Sequence, residues 1–255
     1  VDTETTALNE MTAELVGISL AVEAGTACYI PLAHKAAATD DLFGSDALAE
    51  GQMSMNTALA MLKSLLEDAS VLKIGQNMKY DAKIFARYGV TVAPIDDTML
   101  MSYAMHGGLH NHGMDTPSER YLGHTPIPIK PLLGSGKSAK TFDQVPLADA
   151  VKYAAEDADI TLRLWHVLKP GLPQAQVTTV YETLERPLVP VLAAMERTGI
   201  KVDRDTLSRM SNAFAQKMAE LEADLHALAD GPFNVQSPAQ VGAILFDKMG
   251  LEGGK

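Results

Sequence analysis

Residues 71–89, VLKIGQNMKYDAKIFARYG, join a short apolar run to a segment with helical spacing. The run over 71–75 predicts a buried strand. Asn77 is a residue type that caps helices, and it predicts a helix that continues to Tyr88, where Gly89 ends it. Because a strand leads directly into a helix, this stretch predicts an α/β fold.

The preceding segments add strands and one more helix. Residues 13–22 and 26–32 flank Glu23-Ala24-Gly25 and predict a β-hairpin, and residues 1–3 predict the stub of a first strand in the same mixed sheet. Asn56 predicts the start of a helix over 57–68. Leucines recur there at helical spacing, at Leu59, Leu62, Leu65 and Leu66.

After residue 89 the sequence predicts first a surface segment and then a long helix. Residues 107–140 are rich in Gly, Pro, His and Lys and predict a surface segment with a short helix at 116–122. Pro146 predicts the start of a helix over 147–168, and Lys169-Pro170-Gly171 predicts its end. We therefore expect the first domain to cover residues 1–172.

Residues 173–255 predict a second, wholly helical domain. Pro187 and Pro190 are expected to break its first helix, and Thr198-Gly199 ends the next one. After Asp203, apolar residues spaced three or four apart predict a long amphipathic helix. They are Leu207, Met210, Phe214, Met218, Leu221, Leu225 and Leu228.

The composition narrows the class of protein. With 47% hydrophobic residues and 13 methionines, the chain can build a globular core. No apolar run approaches the ~20 residues that span a bilayer, and no leader opens the chain, so we expect a cytoplasmic protein with no membrane contact. Cys28 is the single cysteine, which excludes an internal disulfide. Because the chain begins at Val1 instead of Met, we expect a fragment of a longer protein.

The net charge of −11 argues mildly against a nucleic-acid partner, because backbone binding depends on Lys and Arg neutralising phosphates. Carboxylates that gather divalent metal ions can still bridge to phosphate, so charge alone does not decide. Any contact with nucleic acid is expected to be local.

Three separated segments carry acids that backbone geometry can aim together. They are Val1-Asp2-Thr3-Glu4-Thr5, Gly75-Gln76-Asn77-Met78-Lys79-Tyr80-Asp81 and Tyr153-Ala154-Ala155-Glu156-Asp157-Ala158-Asp159. Asp2 and Glu4 are two residues apart, so they project from one face of a strand. Tyr153 and Asp157 are four apart and share one face of a helix. Asp81 falls near the first turn of its helix, so four acids can converge on one site.

Converging acids need neutralisation, because like charges at short range raise pKa values and oppose folding. Oxygen ligands suit Mg²⁺ or Mn²⁺, and two such ions ~3.5–4 Å apart form a clamp that hydrolyses phosphodiesters. Tyr153 is placed to orient the attacking water. Taken singly, each segment is more typical of solvated acids or of an acid near a helix N-terminus, so the prediction depends on their conjunction.

The three segments resemble the three exonuclease motifs of the 3′→5′ proofreading domain in family A DNA polymerases. The tyrosine four residues before the last acid resembles the subtype that carries Tyr in place of His. The resemblance implies a DnaQ-like, RNase H-like mixed sheet flanked by helices over residues 1–172. Three later stretches are similar to the start of that family's helical thumb; they are residues 186–192, 196–203 and Phe233-Asn234.

The resemblance also implies a role for each acid. Asp2, Glu4 and Asp157 would ligate a tightly held ion, Asp2 would reach a second ion as well, and Asp81 would hold that second ion directly or through water. Tyr153 would orient the nucleophilic water. The resemblance also places a set of residues around a single-stranded 3′ end: Leu8, Gln76, Asn77, Arg120 and Phe142.

The implied function is a metal-dependent 3′→5′ exonuclease that removes mispaired nucleotides from DNA ends as 5′-monophosphates. We expect a monomer that acts beside the rest of the polymerase. Two departures qualify this expectation. The family's first strand continues upstream of Asp2, so that strand is expected to be truncated here, and the palm and fingers would follow Lys255.

Two alternatives stay open. An RNase D-like RNA 3′→5′ exonuclease shares the carboxylates and the tyrosine, although the thumb-like residues after 186 argue against it. A catalytically silent fragment that binds DNA or supports a polymerase is the second alternative, and the retention of all four acids argues against it for the parent protein.

Two further patterns resemble a phosphate-binding loop and a zinc site, but we interpret both of them differently. Gly134-Ser135-Gly136-Lys137-Ser138 resembles part of a phosphate-binding P-loop, but Pro131 stands where that motif needs a glycine. We expect Lys137 and Lys140 to contact DNA phosphate instead. Histidines 106, 110 and 112 lack cysteines and a helical i,i+4 pair, so loop histidines near the substrate are expected rather than a zinc site.

Overall fold

The structure of the chain is a computed structural model that describes residues 1–36, 47–136 and 139–253. The chain divides into two compact units, Val1–Gly199 and Ile200–Lys255.

Two small sheets lie at the centre of the first unit. Strands β1, β2 and β3 form an antiparallel sheet in that order, and β4 pairs with β5 in parallel. The strands are β1 (Asp2–Thr5), β2 (Leu15–Glu23), β3 (Thr26–Pro31), β4 (Lys73–Gly75) and β5 (Ile95–Asp97). The predicted hairpin is confirmed as β2 and β3.

The expected mixed sheet is divided into these two sheets, because β1 and β4 are short and share little backbone pairing. The Val1 nitrogen donates to the Ile74 carbonyl at 2.7 Å, so the start of β1 still lies beside β4. The α/β class is confirmed.

Helices cover both small sheets. Those of the first unit are α1 (Met55–Glu67), α2 (Met78–Arg87), α3 (Thr98–His106), α4 (Asp115–Pro117), α5 (Ile129–Leu133), α6 (Leu147–Gln174), α7 (Thr178–Val180) and α8 (Arg186–Thr198). A π turn, Ser118–Leu122, continues α4, and a second, Tyr181–Glu185, joins α7 to α8. The short helix expected at 116–122 is therefore present.

Two predicted helix caps are wrong. Ser54, and not Asn56, caps α1 by accepting a hydrogen bond from the Thr57 N–H. Asn77 precedes α2 as expected, but its backbone is left-handed, with φ of 59°, and its side chain makes no capping bond. The N–H groups at the start of α2 are satisfied by another residue, Asp97.

Two predicted helix ends are also wrong. Helix α6 continues through Pro170 to Gln174, because its last turns bury Leu168 and Leu172, and this packing outweighs the hydrogen bond that proline removes. Helix α8 likewise continues through Pro190.

Tyr181 shows how far the first unit extends. Its side chain is fully buried and packs in a core cluster with Met101 of α3 and Leu164 of α6. The compact unit thus continues past the expected domain boundary at residue 172, to Gly199. The boundary at 172 stays a prediction.

Gly17 of β2 lies where a side chain cannot fit. A methyl group on its Cα would overlap the buried ring of Tyr29, whose hydroxyl is hydrogen-bonded to His34 Nε2 at 2.7 Å. We expect Gly17→Ala to destabilise the protein by about 1–3 kcal/mol through overpacking. Urea unfolding measures this loss. Ser19→Ala, in the same strand, is the control, since the buried Ser19 hydroxyl has no hydrogen-bond partner and its removal should change stability far less. Equal effects of the two substitutions would contradict the packing argument.

The second unit is helical, as predicted. It contains α9 (Arg204–Leu228), α10 (Pro238–Gly242) and a π turn, Ala243–Lys248. Helix α9 begins at Asp203, whose side chain accepts from the Thr206 N–H, and its predicted apolar stripe is exposed. Within the described ranges, no helix is both long and apolar enough to cross a membrane.

Candidate active site

An open cavity of about 680 Å³ lies beside β1, with α2 and α6 contributing to its wall. It is lined by all five residues predicted to carry the chemistry: Asp2, Glu4, Asp81, Tyr153 and Asp157. The cavity therefore unites three segments that lie far apart in the sequence.

Three of these acids form a tight cluster. One oxygen from each of Asp2, Glu4 and Asp157 lies within 4.8 Å of the other two. Asp2 and Glu4 project from the same face of β1, as their spacing predicted, and Asp157 extends from the middle of α6. In the part of the chain that the structure describes, no other group of three His, Cys, Asp or Glu residues has this geometry.

Burial and mutual repulsion disfavour three charges in this cluster. Burial raises the pKa of Asp2 to about 6. Burial, followed by the charges of Asp2, Asp157 and Asp81, raises the pKa of Glu4 well above its ordinary value. Burial and then Asp2 also raise the pKa of Asp157. A cation among the carboxylates would relieve both causes.

Asp81 stands beside the cluster and not within it. Its Oδ1 accepts hydrogen bonds from the Thr3 N–H at 2.9 Å and from the Thr3 hydroxyl at 2.6 Å. These bonds join the first turn of α2 to β1. Burial and then the charge of Asp2 raise the pKa of Asp81 well above its usual value.

The donor set suits a hard divalent cation. All four acids offer oxygen, the ligand type that Mg²⁺ and Mn²⁺ prefer. Glu4 Oε1 is buried and has no hydrogen-bond partner, although a buried polar atom is rarely left without one. The residues present therefore fit a metal ion held by Asp2, Glu4 and Asp157.

Tyr153 lies one turn before Asp157 on α6, and its hydroxyl offsets part of the rise in the pKa of Asp157. Burial, followed by the charge of Asp157, raises the pKa of Tyr153 above its usual value. The phenol consequently stays protonated and can act as a hydrogen-bond donor at the edge of the acid cluster.

Four of the residues predicted to bind substrate also line the cavity. Leu8 is 94% exposed, whereas Phe142 is only 3% exposed and packs between His34 and Tyr153. Gln76 and Asn77 lie in the turn before α2. The amide of Gln76 is held at both ends, by the Thr98 hydroxyl and the His112 carbonyl.

The other two residues predicted to bind substrate are Arg120 and Lys137. Arg120 faces His106 and Tyr121 and is not among the described residues that line the cavity. Lys137 lies outside the described residues. Lys140, which was expected beside it, does line the cavity.

The three histidines cluster with one another and not with the acids; His110 and His112 lie in a loop as expected, whereas His106 is the last residue of α3. The rings of His110 and His112 lie 4.7 Å apart, and those of His106 and His110 lie 5.6 Å apart. Their connection to the cavity is indirect, through the bond from Gln76 to the His112 carbonyl at 2.9 Å.

The sequence predictions missed Tyr80 and most of the apolar wall. The Tyr80 hydroxyl donates to the Ala7 carbonyl at 2.6 Å and also contacts the Thr5 hydroxyl, which holds the loop that carries Leu8. Its position beside Asp81 was the one available signal. Met114, Ile129 and Leu133 complete the wall, and nothing in their spacing marks them as site residues.

Comparison with known proteins identifies the family. Residues 1–173 match the model of the 3′-5′ exonuclease family. The chain is 55% identical over 262 residues to DNA polymerase I of Rhizobium leguminosarum, an alignment that covers 99% of this chain and 26% of that protein. It is 42% identical to DNA polymerase I of Pseudomonas aeruginosa, covering 98% of this chain and 27% of that protein. The chain thus spans about a quarter of the length of these curated relatives.

Solved structures show the same fold. The polymerase domain of Pol1 from M. smegmatis, in complex with a DNA primer-template and dNTP, has a TM-score of 0.74 at 22% identity and covers 95% of this chain and 36% of that one. Brucella melitensis NrnC has a TM-score of 0.58 at 22% identity, covering 78% of this chain and 84% of its own. Together with the family match, these comparisons confirm what the three acidic segments indicated: the chain belongs to the 3′-5′ exonuclease family and is similar to the corresponding part of DNA polymerase I.

Proposed function

We propose that this chain hydrolyses the terminal phosphodiester of single-stranded or mispaired DNA 3′ ends and releases 5′-mononucleotides. One observation carries the proposal: the clustered oxygens of Asp2, Glu4 and Asp157 line an open cavity whose other walls are largely apolar. The acids can hold metal, and the walls can accommodate unstacked bases.

The acids take different roles in this proposal. Asp2, Glu4 and Asp157 hold one Mg²⁺ or Mn²⁺ ion, and Asp2 and Asp81 hold a second. Bound together, the two ions would activate water and stabilise the leaving oxygen. Tyr153 donates from the edge of the cluster and orients the attacking water, a role that its raised pKa supports because the hydroxyl keeps its proton.

The cavity walls account for a preference for frayed ends. Leu8 stands exposed at the cavity, whose lining also includes Ile129 and Leu133, so a base that has left its stack can lie against apolar side chains. Phe142 adds to this apolar lining, and Lys140 offers a cation for phosphate. A mispaired end separates from its template at lower cost than a matched one, which favours its entry.

In the parent protein, we propose that the chain acts as a monomeric proofreading unit in the cytoplasm, beside the palm and fingers of the same polymerase. Support comes from the two curated relatives, which are named DNA polymerase I and match this chain over a quarter of their length.

The substrate and metal requirements can be tested together. With Mg²⁺ or Mn²⁺, we expect single-stranded and 3′-mispaired DNA to be degraded faster than matched duplex, because the site accepts an unpaired end. Excess chelator should stop all hydrolysis. Gel analysis of 5′-labelled oligonucleotides measures both effects.

Three outcomes would contradict the proposed function. Equal or faster degradation of an RNA oligonucleotide of the same sequence would favour the RNase D-like function. Full digestion of DNA in excess chelator would contradict the metal-dependent mechanism. DNA binding without hydrolysis in either metal would support the silent fragment.

A further inference from the structure

Asp97 is a buried carboxylate at the end of β5, outside the cavity lining. Its side chain is 1% exposed and caps α3, since Oδ1 accepts from the N–H groups of Met99 at 2.9 Å and Leu100 at 3.3 Å. This much is an ordinary helix N-cap.

The same carboxylate also holds the start of a second helix. Oδ2 accepts from the Met78 N–H at 2.8 Å, and Oδ1 accepts from the Asn77 N–H at 3.1 Å. The backbone of Asn77 is left-handed and its side chain makes no capping bond to α2. Asp97, at the end of β5, instead supplies acceptors for the first N–H group of α2, that of Met78, and for the N–H group of Asn77 just before it.

Helix α2 is the element that carries Asp81 to the cavity. Its first residue is Met78, and Asp81 follows within the first turn, where it binds Thr3 of β1. The first turn of α2 is thus held by Asp97, by the bonds from Thr3 to Asp81 and by the bond from Tyr80 to the Ala7 carbonyl. The bond to Asp97 lies at the first residue of the helix, three residues before Asp81.

Asp97 is itself held rigidly. Its backbone N–H donates to the Tyr181 hydroxyl at 2.9 Å, and that hydroxyl donates to Asp96 Oδ1 at 2.9 Å. The neighbouring Thr98 hydroxyl donates to the Gly75 carbonyl at 3.1 Å, which secures the turn before α2. Both sides of the turn are therefore tied to the end of β5.

We propose that Asp97 is a positioning residue for the exonuclease site, which sets the location of Asp81 through the first turn of α2 without touching substrate or metal. This inference rests on the proposed function in one respect, namely that Asp81 holds an ion. The placement of Asp81 against Thr3 is a geometric claim that can be tested without any metal.

Asp97→Asn removes the bond to the first residue of α2 and keeps the cap of α3. Asn is as good an N-cap as Asp, so an amide oxygen in the place of Oδ1 keeps the bonds from Met99, Leu100 and Asn77. The amide nitrogen then replaces Oδ2 and faces the Met78 N–H, donor against donor, so the bond to Met78 is lost. Asp97→Ser is the second variant, in case the amide prevents folding, since its hydroxyl still caps α3 but offers only one oxygen.

The first readout uses metal-free protein. Because the Thr3 N–H donates to Asp81, its amide resonance reports where Asp81 lies. We expect the Asp97 variants to shift this resonance and to speed hydrogen exchange at Thr3. The second readout is Mn²⁺ titration, in which the weaker of two sites should lose affinity while the tighter one is retained.

Turnover supplies the third readout. We expect kcat to fall by about 10- to 100-fold at a fixed Mg²⁺ concentration, since a misplacement of about 1 Å can cost a factor of this size. Raising the Mg²⁺ concentration should recover part of the loss, and KM for the oligonucleotide should stay unchanged.

Ser54→Ala is the matched control. It removes a helix N-cap in the same unit, the bond from the Thr57 N–H to Ser54 at 3.2 Å, and should lower the stability of the protein modestly. None of the three readouts should change. If they change as much as in the Asp97 variants, Asp97 acts through general stability and the proposal is wrong.

The remaining outcomes are distinct. Folded Asp97 variants with an unchanged Thr3 resonance would overturn the positioning role whatever their activity. A wild-type protein without metal-dependent hydrolysis would overturn the proposed function, and the metal-free Thr3 readout would still decide the role of Asp97.

Discussion

Asp2→Ala is expected to abolish hydrolysis, with a loss of at least about three orders of magnitude in rate. Metal-based stabilisation of the transition state is worth several kcal/mol, and each 1.36 kcal/mol corresponds to about tenfold. Asp2 belongs to the tight cluster with Glu4 and Asp157, and its charge also contributes to the raised pKa of Asp81. In the proposed mechanism it is the one acid shared by both ions, so metal binding and rate should fall together.

Single-turnover cleavage of a 5′-labelled oligonucleotide and Mn²⁺ titration by calorimetry measure these losses. Asp157→Ala should behave similarly, because it removes another member of the cluster. Asp149→Ala is the control, since Asp149 lies on the same helix as Asp157 but is exposed and pairs only weakly with Lys152, at 3.8 Å. Near-normal turnover by Asp2→Ala would show that the assignment of the metal ligands is wrong.

Tyr153→Phe should produce a large loss of a different kind. The substitution removes one hydroxyl and leaves every carboxylate oxygen in place. Positioned groups that handle a proton or a reacting water contribute about 10²- to 10⁴-fold, so this range bounds the expected loss in kcat. Because all the carboxylates that hold metal in the proposal stay in place, Mn²⁺ should still bind with close to wild-type affinity.

The comparison of Tyr153→Phe with Asp2→Ala tests the division of roles. The tyrosine variant should titrate like the wild type and turn over slowly, whereas the Asp2 variant should fail to bind the second ion. Phe142 packs against the Tyr153 ring with centroids 5.8 Å apart, and the phenylalanine ring preserves that contact. A Tyr153→Phe variant that loses metal would instead make the tyrosine a support for Asp157.

Much of the site was predictable because its geometry is local. Residues two apart on a strand share a face, which predicted that Asp2 and Glu4 lie side by side. Residues four apart on a helix are also neighbours, which predicted the same for Tyr153 and Asp157. That these two pairs face each other depends on the tertiary structure. Spacing showed only that the acids can converge, and the resemblance to a known family supplied the expectation that they do.

The missed features depend on contacts between distant segments. Asn77 is a good capping residue by type, but its backbone is left-handed, its side chain makes no capping bond, and the first N–H group of α2 is bound by Asp97, twenty residues later. Pro170 is a helix breaker by type, but the burial of Leu172 continues α6 beyond it. The intrinsic helix preferences of Asn77 and Pro170 decided neither case, because tertiary contacts outweighed them.

The network around Asp96 bears on how this nuclease can be inherited or exchanged as a unit. The buried Asp96 carboxylate is bound by Trp165 and Lys169, which lie before residue 173, and by Tyr181 and Arg186, which lie after it. A gene fusion that joined the nuclease to a foreign partner at residue 173 would remove two of these four partners and leave a buried charge poorly compensated. Recombination after Gly199 would keep the network whole. Fusions that remain viable should therefore be joined at the end of α8 and not at the end of the family match.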